Sequence, residues 1–173
     1  MLYPDGTPTQ PEIIAVALSK LELRSTDVFA DIGCGSGSVS ISAAPLVKQV
    51  YAIDNRDEAA RATIKNIKEC GMDNVTVLKG NAALLLEDID IDCAFVGGSK
   101  NMERVLAILI EKGARFVVSA VRIETVALAL DIMKKNNCFK ELLQIQLSRG
   151  YELVGGNMFK PENPVFLVVG EPC

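Results

Sequence analysis

The chain is constrained most by residues 28–40. An apolar run from Val28 to Ile32, carrying one acid at Asp31, breaks into glycines at Gly33, Gly35 and Gly37. An amphipathic segment starts near Ser38. The pattern predicts strand, tight loop, helix. Glycines let the backbone turn with positive φ and let a ligand approach closely. The first amides of the following helix lack intrahelical partners and carry partial positive charge, so an anionic ligand end fits there. The dinucleotide fingerprint G-x-G-x-x-G requires glycine at position 38, where Ser38 stands. A glycine-rich turn with no ligand is the plain alternative.

A second apolar strand, Val50-Tyr51-Ala52-Ile53-Asp54, ends in an acid about 20 residues past the glycines. That spacing suits a carboxylate on ribose hydroxyls; a solvated loop charge or a helix cap is the alternative. The acid followed by G-x-G-x-G, Asp31 to Gly37, resembles the first motif of Rossmann-like S-adenosylmethionine (SAM) methyltransferases. The resemblance implies that the amino acid end of SAM lies over Gly33, Cys34, Gly35, Ser36 and Gly37. Asp31 then helps hold the ammonium, directly or through water.

Histidine is absent from all 173 residues. This removes the usual base near neutral pH, Ser-His-Asp catalysis and histidine metal sites. The five cysteines are scattered, odd in number and without a C-x-x-C pair, so neither a disulfide framework nor a zinc site is expected. They read as reduced thiols of a cytoplasmic protein. The N-terminus, Met1-Leu2-Tyr3-Pro4-Asp5, shows no signal peptide, and no apolar run is long enough to span a membrane. A net charge of −4 argues against nucleic acid as the main partner. The length fits one domain, residues 1–173.

Along the chain, Thr9-Gln10-Pro11-Glu12 reads as a capping box. It opens a helix to about Leu21, with Ile13, Ile14, Ala17, Leu18 and Leu21 on one face. Thr9 is also a candidate for the cofactor pocket. Helices are expected at Val39 to about Val47, at Asp57–Cys70 with Gly71 as its C-terminal cap, and at Ile123 to about Lys135. Met102, Val105, Leu106, Leu109 and Ile110 share a further helix face. Strands are expected at Val75–Leu78, Asp92–Val96, Arg115–Ala120, Lys140–Leu147 and Val165–Val169; residues 148–163 lack a clear period. After the third strand, in Lys79-Gly80-Asn81-Ala82, the methyltransferase pattern places an acid or amide on the adenine edge. Asn81, with Ala82, takes that place, although asparagine is also a common turn former. Alternating strands and helices, then two closing strands without a crossover helix, predict an α/β fold. It is the seven-stranded, mostly parallel, doubly wound methyltransferase sheet with an antiparallel last strand.

The fourth strand ends in Val96-Gly97-Gly98-Ser99, with no proline, aromatic ring or acid to serve a flipped base. Together with the glycine loop, four further segments resemble the decarboxylating cobalt-precorrin methyltransferases of cobalamin synthesis (the CbiT type). They are Pro4 to Thr9, Gly97-Gly98-Ser99, Ser148-Arg149-Gly150, and Val154 to Lys160 running into Asn163-Pro164-Val165-Phe166. The resemblance spans nearly the whole chain; Asn81 departs from the usual Asp, and Asp54 from a frequent Glu. It implies methylation of carbon 15 of a cobalt-precorrin, loss of carbon dioxide from a ring C acetate, and a homotetramer. The tetrapyrrole carries many carboxylates. Arg149 is the leading candidate to bind them, with Arg122, Glu124 and Ser99 also near the acceptor space; solvated surface charges are the alternative. An RNA or protein methyltransferase and a non-catalytic SAM-binding module are the competing readings.

Overall fold

The computed structural model describes residues 1–4, 8–98 and 100–172. The first helix, α1, spans Pro11–Leu21. Then β1 (Val28–Ile32), α2 (Ser38–Ala43), β2 (Gln49–Asp54), α3 (Asp57–Cys70), β3 (Val75–Lys79) and α4 (Ala82–Leu85) follow. After them come β4 (Cys93–Val96), α5 (Met102–Glu111), β5 (Arg115–Ala120), α6 (Ile123–Lys135) and the strands β6 (Phe139–Ile145), β7 (Ser148–Leu153), β8 (Gly156–Pro161) and β9 (Val165–Gly170).

Seven strands form one sheet in the order β3-β2-β1-β4-β5-β9-β6. Pairs from β3 through β5 are parallel, and β9 runs antiparallel to both β5 and β6. This is the expected sheet. The burial pattern explains why it forms. Every residue of β4 is buried and β1 is buried from Phe29 to Ile32, as strands covered on both faces must be. On one face Phe29, Val50, Phe95, Val117 and Leu167 pack under Ile13, Ala17, Leu18 and Leu21 of α1. On the other, Ile32, Val96, Phe116 and Val118 pack under Met102, Leu106, Leu109, Val126 and Met133 of α5 and α6.

Several local expectations hold. Helix α3 ends at Gly71 (φ 64°), where the Met72 N–H reaches the Ile67 carbonyl at 3.2 Å and the Gly71 N–H reaches Lys68 at 3.3 Å, the paired closure that favours glycine. The capping box does not form. Gln10, not Thr9, stands at the cap of α1 and makes no side-chain cap bond. Glu12 is drawn away by Arg149, whose Nη2 donates to its Oε2 at 2.9 Å. The helix predicted to Val47 breaks at Ala43 into a 3-10 turn, Ala44–Leu46, around Pro45.

Residues 148–161, read as aperiodic, form the antiparallel ribbon β7–β8, separate from the main sheet and exposed along both strands. A further link was not foreseen. Arg115 donates to the buried Asp27 and to the carbonyls of Leu21 and Glu22 at 2.8 and 2.6 Å, tying the end of α1 to the start of β5.

Candidate functional site

Strand order reverses between β1 and β4. The chain builds β1, β2 and β3 outward on one side, then restarts at β4 on the other. Loops leaving the carboxyl ends of neighbouring strands diverge at such a point and leave a crevice. The loops after β1 and β4 bound it, and they touch: a Cβ on Gly33 (φ 80°) would lie 2.8 Å from the Gly98 nitrogen. Gly35 (φ 57°) is different. A Cβ there meets nothing nearer than the Arg56 guanidinium at 3.9 Å, so the loop crest faces open space.

The loop is fixed from beneath by two fully buried polar residues of α3. Thr63 donates to the Gly35 carbonyl at 2.9 Å, and Asn66 donates to the Ser36 carbonyl at 2.8 Å. Asn66 also pairs with both main-chain groups of Leu2, at 2.6 and 2.8 Å, so the N-terminal segment hangs from the same side chain. With its carbonyls turned down, the loop turns amides up. Among the described residues the N–H groups of Ser36, Ser38 and Val39 reach no protein acceptor. Neither Thr63 nor Asn66 was singled out from sequence. The signal was present, since both fall on the stripe of α3 that also holds Ala59, Ala62 and Ile67.

Asp31 lies beneath this loop and is 1% exposed. Its Oδ2 accepts from the Ser40 N–H at 3.0 Å and the Ser40 hydroxyl at 2.6 Å. Its Oδ1 is buried and has no partner among the described residues. Burial, against the two Ser40 bonds, pushes the carboxyl up to about 6. A buried acceptor without a donor is costly unless a ligand completes it. Cys34 is no nucleophile: burial, then the nearby Asp31, pushes its thiol up to about 12.

Asp54 ends β2 and is 5% exposed. Burial works to raise its pKa, yet hydrogen bonds from Arg56 and Gly35 hold it below the usual carboxylate range. Asn81 caps α4, its Oδ1 accepting from the Ala83 N–H at 3.0 Å. The Asn101 amide approaches the same oxygen at 3.5 Å.

Three cavities open here. The first, about 160 Å³, lies over the glycine loop and is walled by Asp31, Gly33–Ser36, Ser38, Arg56, Tyr3 and Thr9. The second, about 320 Å³, is lined by Ile53, Asp54, Asn81, Ala82, Lys100 and Asn101. The third, about 880 Å³, is a groove between the start of α1, the ends of β5 and β8, and the start of α6. Gly97 lines all three, and Thr9 lines the first and third.

The predicted cofactor residues Thr9, Asp31, Gly33, Cys34, Gly35, Ser36, Asp54, Asn81 and Ala82 thus line two adjoining cavities. Gly37, with φ 78°, caps α2 beneath them. The acceptor candidates scatter more. Arg122 lines the groove at the start of α6, together with Lys160. Glu124 is exposed in the first turn of α6 and is not among the groove-lining residues. Arg149 is held by two acids, Glu12 and Glu162 (Nε to Oε1, 3.2 Å). Ser99 lies outside the described residues. Sequence reasoning missed Gln10 and Glu162, both in the groove. The Gln10 amide nitrogen donates to Glu162, and its buried Oε1 has no partner among the described residues.

Residues 1–170 match the model of the precorrin methyltransferase domain. The chain belongs to the precorrin methyltransferase family. It is 53% identical over 173 residues to a Methanosarcina mazei protein named "Probable cobalt-precorrin-6B C(15)-methyltransferase (decarboxylating)", covering 96% of this chain and 94% of the relative. An Archaeoglobus fulgidus protein of the same name is 40% identical over 167 residues, covering 96% of this chain and 98% of the relative. A solved structure called precorrin 8W decarboxylase, from Methanobacterium thermoautotrophicum, superposes with a TM-score of 0.90. It is 34% identical and covers 97% of this chain and 92% of that one. Family membership accounts for the doubly wound sheet and implies SAM as methyl donor.

Proposed function

We propose that this precorrin methyltransferase transfers a methyl group from SAM to carbon 15 of cobalt-precorrin-6B and removes the ring C acetate carboxyl as carbon dioxide, giving cobalt-precorrin-7 in cobalamin biosynthesis. The observation that carries the reading is the meeting of three cavities at Gly97. Two suit the parts of a nucleoside amino acid, and the widest suits a flat, bulky acceptor.

The residues present fit SAM. Asp31 Oδ1 is an unpaired acceptor for the ammonium, and the upturned amides of Ser36, Ser38 and Val39 suit the carboxylate. Asp54 serves the ribose, and Asn81 with Ala82 borders the adenine. SAM supplies an electrophilic methyl group.

The protein's share is chiefly positioning, which removes much of the entropic barrier. The bridging carbon of the tetrapyrrole is already enamine-like and attacks in line. A Cβ at position 97 would lie 3.1 Å from the Phe95 ring, so glycine is the residue that fits at the junction of the cavities. Methylation leaves an electron-poor conjugated system. The bond to the acetate carboxyl then breaks, its electron pair passes into the ring, carbon dioxide leaves, and the remaining carbon takes up one proton as the methylated carbon 15 releases its own. None of this needs histidine. Arg122 and Arg149 are the proposed carboxylate contacts, and Glu124, exposed in the first turn of α6, is a further candidate.

We place the whole reaction in one domain, residues 1–173, working in the cytoplasm as a homotetramer. The exposed ribbon β7–β8 and its apolar Phe159, Met158 and Leu153 support an interface between copies. No helix of the described residues is long and apolar enough to cross a membrane. Incubation of purified protein with methyl-labelled SAM and cobalt-precorrin-6B tests the proposal. Label in the macrocycle with one carbon dioxide released per methyl is the expected result. Unlabelled macrocycle, or label in RNA or protein instead, overturns it.

A further inference from the structure

The Asp54 carboxylate accepts four hydrogen bonds. The Arg56 main-chain N–H and its Nε reach Oδ1 at 3.0 and 3.1 Å; the Gly35 N–H and Arg56 Nη2 each reach Oδ2 at 3.1 Å. A carboxylate offers about four lone-pair positions, so Asp54 has none left for a ribose. Two of its donors are backbone groups built into the loop and the turn, and they can stay. The other two belong to one guanidinium. Arg56 also lines both the cavity over the glycine loop and the cavity at Asn81. A nucleoside amino acid that spans both must pass it.

We infer that Arg56 is a displaceable occupant of the ribose position, a specificity residue that the two ribose hydroxyls replace on Asp54, donor for donor. The inference rests on the SAM reading above. The exchange is feasible because the Arg56 side chain is 41% exposed, whereas that of Asp54 is 3% exposed. The guanidinium regains water as it leaves, and a partly exposed ion pair is weak enough to yield. The carboxylate never goes without partners. A ligand with a single hydroxyl would leave one Asp54 position unpaired and would compete poorly with the guanidinium. Arg56 thereby sharpens selection for an intact ribose while lowering affinity for every adenosyl ligand.

Calorimetry with SAM and S-adenosylhomocysteine on Arg56→Met and Arg56→Lys tests this. Met keeps the length and the main-chain N–H but removes the competing donors, so both ligands should bind about fivefold tighter, the factor expected for a partly exposed ion pair. Lys, limited to one contact, should fall between. A crystal structure of the unaltered protein with S-adenosylhomocysteine should show both ribose hydroxyls on Asp54 and the guanidinium beyond hydrogen-bond reach. Equal or weaker binding by Arg56→Met, or a guanidinium still bidentate on Asp54 in that complex, overturns the inference and leaves the SAM reading intact. No uptake of either ligand by the unaltered protein overturns both. If Arg56→Met fails to fold, the complex decides alone.

Discussion

Asp31 and Ser40 form a one-sided pair: the serine N–H and hydroxyl both donate to Oδ2, and the buried Oδ1 has no partner among the described residues. The carboxyl is raised to about 6, above its unfolded value of about 3.9. A raised acid binds more protons folded than unfolded between these values. Its contribution to stability is therefore full below about pH 4 and is lost as pH rises toward 6, an effect of order 3 kcal/mol for a two-unit shift. An ammonium beside Oδ1 favours the ionised form, so SAM affinity should fall below pH 6, by at most tenfold per unit. Asp31→Asn should bind SAM at least tenfold more weakly at pH 7.5 and lose the pH dependence. Calorimetry between pH 5 and 8 checks both; a flat wild-type profile counts against the ammonium contact.

Gly33→Ala places a methyl group 2.8 Å from the Gly98 nitrogen in a backbone of positive φ. Backbone gives way poorly, and the strain should cost roughly 1–3 kcal/mol. Urea unfolding should register that loss, and SAM titration should show a larger defect than the same change at Gly155, where a Cβ meets nothing within 4 Å.

Arg149→Ala should weaken tetrapyrrole binding and leave SAM affinity near wild type. The guanidinium is shared by Glu12, which it holds down to about 2, and by Glu162. A substrate carboxylate therefore has to displace one acid, and the expected loss is modest, about threefold to tenfold in KM, for a contact exposed to water. Equal loss of both ligands would identify Arg149 as a structural clasp.

Asn81→Ala removes the cap of α4 and should cost about 1 kcal/mol of stability, along with SAM affinity. Asn81→Asp keeps the cap and supplies a stronger acceptor for an adenine amino group, so it should bind SAM at least as tightly as wild type. Thermal melts beside ligand titrations separate cap from contact.

The sheet was legible because β1, β2 and β4 are apolar runs buried on both faces, and because Gly71 sits where a helix must end. That the residues proposed for the cofactor line adjoining cavities was legible for a related reason. Glycines with positive φ and acids at strand ends leave a mark in the sequence itself. Other features depend on distant partners. Thr9-Gln10-Pro11-Glu12 has the letters of a capping box, but Glu12 is claimed by Arg149, 137 residues away. The pairing of Arg56 with Asp54 depends on how the turn after β2 folds, since an arginine two residues after an acid has many possible fates. The ribbon escaped because an exposed strand pair has no burial period. Its turn is also disguised: Val154 and Gly155 have φ of 50° and 76°, the two positive values of a type I′ turn, but valine stands where asparagine would announce it.

That ribbon has a kinetic consequence. Twelve residues in two strands, exposed on every side, gain little from burial, and a lone hairpin is marginal in water. On the proposed assembly of copies, a solitary protomer should therefore be short-lived as a working catalyst. Serial dilution should drain activity before it melts the sheet, and a trace of protease should nick the chain near Val154 first.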